Sequence, residues 1–183
     1  MVNELGFRFF KENHEGRKLT NRKVKEIWEV VRTYILRITR SEDTIIREPI
    51  SKGELSEALE IANSLALFFS GNGEGSLTFW PEFPGCGIIH QCKGDILQGR
   101  RLVEVKAGDR TFRLTDLRQV LTYCCLDFAS KKYDLLDIVL INPRRGLFHE
   151  TLITKLVTEC SGTTAVDFFS NMIEFISSEE PSR

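Results

Sequence analysis

The stretch Gly94–Tyr123, GDILQGRRLVEVKAGDRTFRLTDLRQVLTY, decides the reading of this 183-residue chain. Asp95-Ile96-Leu97 and Leu102–Lys106 have the length and apolar content of two strands. Gly99-Arg100 between them suits a tight hairpin turn. On the second strand Glu104 and Lys106 are two residues apart, so both side chains point to one face. Their neighbours Leu102, Val103, Val105 and Ala107 are apolar. A charged pair in such a setting needs a partner or a metal. If Asp95 lies on the pairing strand, its carboxylate reaches Glu104. Two close carboxylates repel unless a cation sits between them. Oxygen donors with an open coordination sphere suit Mg2+ or Mn2+, and the Val105 carbonyl offers one more oxygen. Such an ion polarises a phosphodiester and acidifies a bound water. Lys106 beside it orients that water or stabilises the charge of the transition state. A helix capped by Thr115 or Asp116 follows, running to about Ala129. Gln119 and Tyr123 sit at i and i+4 on it and share a face. Together they form a polar ledge for a phosphate or the attacking water.

Working outward, the period changes along the chain. Residues 1–19 are charged and mixed, which reads as a lead-in or a strand-like arm. Val24, Ile27, Trp28, Val30, Val31, Tyr34, Ile35 and Ile38 recur at helical spacing after Thr20 or Asn21 as N-cap. Arg40–Ser51 is polar, carries Pro49 and reads as a connection. A second helix spans about Gly53–Ser70 and stops at Gly71-Asn72-Gly73. Leu77–Pro84 is aromatic and interrupted by prolines, and Gly87–Cys92 reads as a short strand. Beyond the central segment, Leu136–Ile141 and Gly146–Glu150 read as strands, and Asp167–Ser177 as an amphipathic helix. The order predicts an α/β (α+β) sandwich: a mixed central sheet, with an antiparallel meander, flanked by helices. The expected division is a helical extension over 1–52 and the main domain over 53–183.

The order Asp, short gap, ExK, then a helix bearing QxxxY resembles the PD-(D/E)xK nuclease superfamily, closest to its RecB-like branch. The resemblance covers about residues 53–142. It implies a restriction-endonuclease-like core of helix, three-stranded meander, helix and strand. It implies that Asp95 and Glu104 bind Mg2+ or Mn2+, that Lys106 is catalytic, and that Gln119 and Tyr123 support the site. Many members add an acid from the helix before the sheet. Glu54, Glu57 and Glu60 are the candidates, with Glu57 favoured as a third metal ligand. Some RecB-like members carry an iron–sulfur cluster on four cysteines. The spacing of Cys86, Cys92, Cys124, Cys125 and Cys160 lacks a C-terminal CxxC, so no cluster is expected. The small nuclease core also resembles bacterial restriction-like and phage-defence nucleases. That implies an antiviral setting, with specificity supplied by a protein partner or a homodimer.

Lys plus Arg is 25 and Asp plus Glu is 26, for a net charge of −1. This excludes a net basic field for nucleic acid, so a local patch has to hold phosphate. Arg113, Arg118 and Arg144 are the candidate DNA contacts, with Arg110 and Arg145 nearby in sequence. DNA and RNA are not separable by these residues. His14, His90 and His149 read as surface side chains, with a contact to DNA or metal the alternative for His90, and Phe79–Gly85 reads as a rigid connection packed on the sheet, with aromatic faces for stacking a base as the alternative. The apolar helix around Phe168–Ile176 packs on its own core or forms a dimer seam. No signal-peptide pattern and no stretch near the roughly 20 apolar residues of a membrane span occur, so a cytoplasmic location is expected. The alternative function is a catalytically silent subunit that binds nucleic acid or protein on the same fold.

Overall fold

The computed structural model describes residues 1–39, 50–71 and 75–178. The connection expected over Arg40–Ser51 lies outside them except for its last two residues, as do Asn72 and Gly73. The chain divides into two compact units. The first comprises Met1–Gly73, Ala107–Asp109 and Pro143–Gly146. The second comprises Glu74–Lys106, Arg110–Asn142 and Leu147–Arg183.

The first unit holds α1 (Val2–His14), α2 (Asn21–Thr39) and α3 (Lys52–Gly71). Helix α1 replaces the expected lead-in. Leu5, Phe9 and Phe10 recur at helical spacing and are buried with Phe7, while Glu4 pairs with Arg8 and Lys11 with Glu15. The dense charge between those aromatics hid the period. Gly6 lets α1 approach α3, since a Cβ there would lie 2.7 Å from Ile61 Cγ2 and 2.9 Å from the Ala58 carbonyl oxygen. Thr20 caps α2 by accepting the Lys23 N–H. Ser51 and Glu54 form a reciprocal cap at the start of α3.

The second unit is α+β. Its five-stranded mixed sheet contains β1 (Leu77–Phe79), β4 (Ile96–Gln98), β5 (Arg101–Val105), β6 (Asp137–Asn142) and β7 (Leu147–Leu152), in the order β1-β4-β5-β6-β7. Only β5 and β6 run parallel. That pair is joined through α4 (Leu114–Ser130), as a parallel crossover requires. A separate ribbon pairs β2 (Glu82–Phe83) with β3 (Cys92–Lys93). Helices α5 (Ile153–Ser161) and α6 (Ala165–Ser178) complete the unit. Helix α5 was not legible because β7 runs into it with no breaker, and only Ile153, Leu156 and Val157 mark its buried side.

The core against α4 contains Leu102, Ile138 and Leu140 from the sheet and Val120, Tyr123, Cys124 and Leu126 from the helix. Ile153, Leu156, Val157, Phe169 and Ile176 close it. Helix α6 buries Phe169 and Ile176 in this core and packs Phe168, Met172 and Ile173 partly against it, while Val166 and Phe175 are exposed.

The ribbon and the β1–β4 pair are one hairpin in a single register. Phe79 faces Ile96, Glu82 faces Lys93, Phe83 faces Cys92, and Cys86 bridges Ile89 at the tip. Between the two pieces the main chain still bonds across, Trp80 N–H to Asp95 carbonyl and Gly94 N–H to Pro81 carbonyl. The ladder bends there because Trp80 takes a left-handed conformation, φ 53°. Beyond the bend Phe83 stacks on Tyr123 of α4, with centroids 5.1 Å apart and planes 9° off parallel. The strand expected over Gly87–Cys92 is accordingly only a tight tip followed by Cys92–Lys93.

The tip is fixed to α6 by a hydrogen bond from Ile88 N–H to the Ile176 carbonyl, 3.0 Å. Gly87 has φ +55°, and a Cβ there would sit 2.1 Å from the Ile176 oxygen. Gly99 in the β4–β5 turn has φ +60° with open space around it. Gly99→Ala is therefore expected to cost about 1 kcal/mol of backbone strain, and Gly87→Ala at least about 2 kcal/mol, because only main-chain atoms stand in the way. Urea denaturation of both variants checks this, and equal losses would show that the tip does not touch α6.

Candidate active site

The site is built from the ends of β4 and β5 and one face of α4, all within the second unit. Ile96 faces Val103 in the β4–β5 register, so one further step sets Asp95 across from Glu104. The Asp95 carboxylate accepts the Val105 N–H at 2.7 Å. This ties the loop before β4 to the end of β5, where the next hydrogen bond passes to β6, Lys106 N–H to the Ile141 carbonyl.

Glu104 is 2% exposed. Its Oε1 accepts the Lys106 ammonium at 2.8 Å, with both side chains on one face as strand alternation requires. Its Oε2 is buried with no hydrogen-bond partner. Burial pushes the Glu104 carboxyl above the ordinary carboxylate range. The Lys106 charge and the Asp95 backbone N–H pull the other way, and Asp116 adds to the rise.

Lys106 Nζ also donates to Gln119 Oε1 at 2.5 Å. Gln119 Nε2 donates to the Tyr123 hydroxyl at 2.7 Å, which is the i,i+4 ledge expected of α4. The Tyr123 hydroxyl in turn donates to the Lys93 carbonyl at 3.0 Å. Burial, with Glu104 next, raises the Tyr123 phenol well above its usual value, so it stays a donor. A continuous chain of hydrogen bonds thus runs from Glu104 through Lys106, Gln119 and Tyr123 to the ribbon. The Lys93 contribution was invisible in the sequence, because a main-chain carbonyl leaves no side-chain signal. So was Phe83, whose ring stacks on Tyr123.

Helix α4 is oriented at its first turn. Arg113 occupies the cap position with extended backbone, and Asp116 is the third helical residue rather than the cap. The Asp116 carboxylate accepts the Arg113 N–H at 2.8 Å and takes both terminal nitrogens of Arg110, at 2.6 and 2.8 Å. Arg110 is therefore committed to the fold.

The remaining candidates divide. The side chains of Arg113 and Arg118 are exposed at the start of α4 and form no ion pair among the described residues. Glu57 and Arg144 belong to the first unit, where they pair with each other. Arg144 Nε also donates to the Ala107 carbonyl at 2.8 Å, and its NH2 to Asn3 at 2.6 Å. Among the described residues no group of three or more His, Cys, Asp and Glu side chains is placed to hold a metal. The donors of this site are thus two carboxylates, Asp95 and Glu104. They suit a hard divalent cation, because Glu104 Oε2 is a buried carboxyl oxygen with no hydrogen-bond partner. The cysteines are all free thiols, and burial raises Cys92, Cys124 and Cys125.

Comparison with protein-family models, curated proteins and solved structures finds no match to this chain. No helix among the described residues is long and apolar enough to cross a membrane.

The Arg110 pair, helped by the Arg113 N–H, lowers the Asp116 carboxyl from 3.8 to about 2 despite its burial. A carboxyl whose folded pKa is depressed stabilises the fold above its unfolded pKa. That stability is lost as pH falls through the folded value. Between pH 4 and 2 the protein should lose about 2 kcal/mol more than Asp116→Asn does. Denaturation curves at stepped pH test this, and parallel losses would remove the pair from the stability of α4.

Proposed function

We propose that this chain is a cytoplasmic, metal-dependent nuclease that hydrolyses DNA phosphodiester bonds, as its resemblance to the RecB-like PD-(D/E)xK nucleases implies. The observation that carries the reading is the buried Glu104 carboxylate, with the Lys106 ammonium on one oxygen and no partner on the other. A structural ion pair satisfies its oxygens, because a desolvated anionic oxygen without a donor costs several kcal/mol. An oxygen kept bare in register with a second acidic residue, Asp95, is what a cation site needs.

Asp95 and Glu104 would hold Mg2+ or Mn2+, which supplies Lewis acidity toward the phosphodiester and a more acidic bound water. Lys106 spends two N–H donors on Glu104 and Gln119. Its third is available to the attacking water or to a non-bridging phosphate oxygen, where charge grows in the transition state. Gln119 fixes the ammonium by accepting from it, and Tyr123 holds the Gln119 amide in that orientation. Arg113 and Arg118 offer guanidinium forks to substrate phosphates. With a net charge of −1, binding has to be local, and a protein partner or a second copy supplies further grip. A bacterial restriction-like or phage-defence system is the setting.

One observation favours the second reading, a catalytically silent subunit that binds nucleic acid or protein. No third acidic ligand joins Asp95 and Glu104 among the described residues.

The two readings part in one experiment. Single-stranded, linear duplex and supercoiled DNA are incubated with the protein in Mg2+, Mn2+ or EDTA, beside Glu104→Gln. The nuclease reading expects cutting in either metal, none in EDTA, and at least a hundredfold loss in the variant assayed at a temperature where it is folded. It also expects a metal-dependent rise in the wild-type Tm that the variant lacks. No cutting and no rise would sink the enzyme and leave the silent subunit.

A further inference from the structure

Helix α2 is apolar on two sides. Ile27, Trp28 and Val31 are buried in the first unit. On another side Val30, Tyr34 and Ile38 follow one another at i, i+4 and i+8 and are 51%, 44% and 56% exposed. Thr33 and Arg37 complete the same stripe at i+3 and i+7. The stripe borders a groove of about 420 Å3, lined by Glu29, Val30, Thr33, Tyr34 and Arg37 of α2 and by Arg8 of α1. Charge is divided along it. Glu29 lies at the N-terminal end and meets Arg32 at 3.5 Å. Arg37 lies at the other end, where it is exposed and forms no ion pair among the described residues.

We propose that this face of α2 pairs with the same face of a second copy of the chain, the two helices running antiparallel about a twofold axis at Tyr34. The partner follows from the pattern. An axis at Tyr34 sets Val30 level with the partner's Ile38, and Ile38 level with the partner's Val30, so the exposed apolar side chains cover one another. It also brings Arg37 to within two residues, about 3 Å along the helix axis, of the level of the partner's Glu29. A parallel pair would set Glu29 against Glu29 and Arg37 against Arg37, and like charges oppose it. The stripe is therefore complementary to itself in one orientation. Twofold symmetry repeats each contact, so both Arg37–Glu29 pairs form together. A contact confined to one helix of each copy is small for an interface, which corresponds to a Kd of roughly 10–100 µM. The inference goes beyond the nuclease reading and stands without it, since every residue it uses lies in the first unit. It sets the dimer seam on α2 rather than on α6.

Sedimentation velocity of the full chain from about 1 to about 200 µM measures the association. Wild type is compared with Tyr34→Ser, Arg37→Glu, the double variant Glu29→Arg/Arg37→Glu, and Phe175→Ser on the exposed side of α6. The circular dichroism spectrum and Tm of each are recorded at the lowest concentration. Wild type should pass from monomer to dimer over this range. Tyr34→Ser removes the ring on the axis from both copies and should weaken association at least about tenfold. Arg37→Glu turns two attractions into two repulsions and should weaken it about tenfold. The double variant restores opposite charges across the axis and should return to within about threefold of wild type. Phe175→Ser should associate as wild type does. A wild type that stays monomeric throughout overturns the proposal. So does a dimer that Tyr34→Ser or Arg37→Glu leaves intact, or a loss in Arg37→Glu that the double variant does not recover. A dimer lost in Phe175→Ser alone moves the seam to α6 and overturns it as well. If Tyr34→Ser lowers the Tm, the charge reversal and its recovery, both at exposed positions, decide the matter.

Discussion

Glu104 sets the terms for the rest of the second unit. A carboxylate at 2% exposure has lost its water and must recover the loss from groups held in place around it. The Lys106 ammonium is the main source, and it is useful only if it cannot swing away. Gln119 prevents that, and Gln119 is itself held by Tyr123. Tyr123 stands between the stacked Phe83 ring and the Lys93 carbonyl. Each element of the unit that touches this chain of bonds is therefore fixed relative to one anion. Strand β5 supplies the charges, helix α4 the amide and the phenol, and the bent hairpin the last acceptor. The bond from Lys106 N–H to Ile141 adds β6, the parallel neighbour.

The hairpin can serve two surfaces because it bends without losing register. Its first part is an edge of the main sheet, and its second part leaves that sheet to cover α4. A straight hairpin would carry Phe83 and Lys93 away from Tyr123. The bend falls at Trp80 and Asp95, so the position that redirects the ribbon also carries the first acidic residue of the site. Tyr133 secures the far side. Its hydroxyl accepts the Glu82 N–H and donates to the Glu82 carbonyl, and its ring meets Phe83 edge-on. Asp127 holds the loop bearing Tyr133 through the N–H groups of Tyr133 and Leu135.

Local patterns carried much of this into the sequence. The sheet of mixed direction, the β4–β5 turn at Gly99 and the shared face of Gln119 and Tyr123 follow from period and spacing, and the structure has all three. Three things do not follow from spacing. Helix α1 was masked by charges set between its buried aromatics. Helix α5 begins without a breaker, since the β7 backbone passes directly into it. The acceptor that ends the hydrogen-bond chain is a carbonyl, and every residue has one. Arginines mislead for a different reason. Arg110 and Arg144 have the spacing of a basic patch, yet each is bound by a carboxylate within its own unit. A guanidinium reads the same in sequence whether it faces Asp116 or solvent.

That sorting of the arginines bears on how any polyanion is held. Of the five weighed as phosphate contacts, Arg110 and Arg144 are engaged by buried or partly buried carboxylates, and Arg145 faces Asp109 at 3.1 Å. Arg113 and Arg118 are left exposed on α4, next to the residue that anchors Lys106. On the nuclease reading, two phosphate contacts would release few counterions, so the electrostatic part of binding would be small and its salt dependence shallow. Selection among substrates then falls to contacts that do not scale with charge.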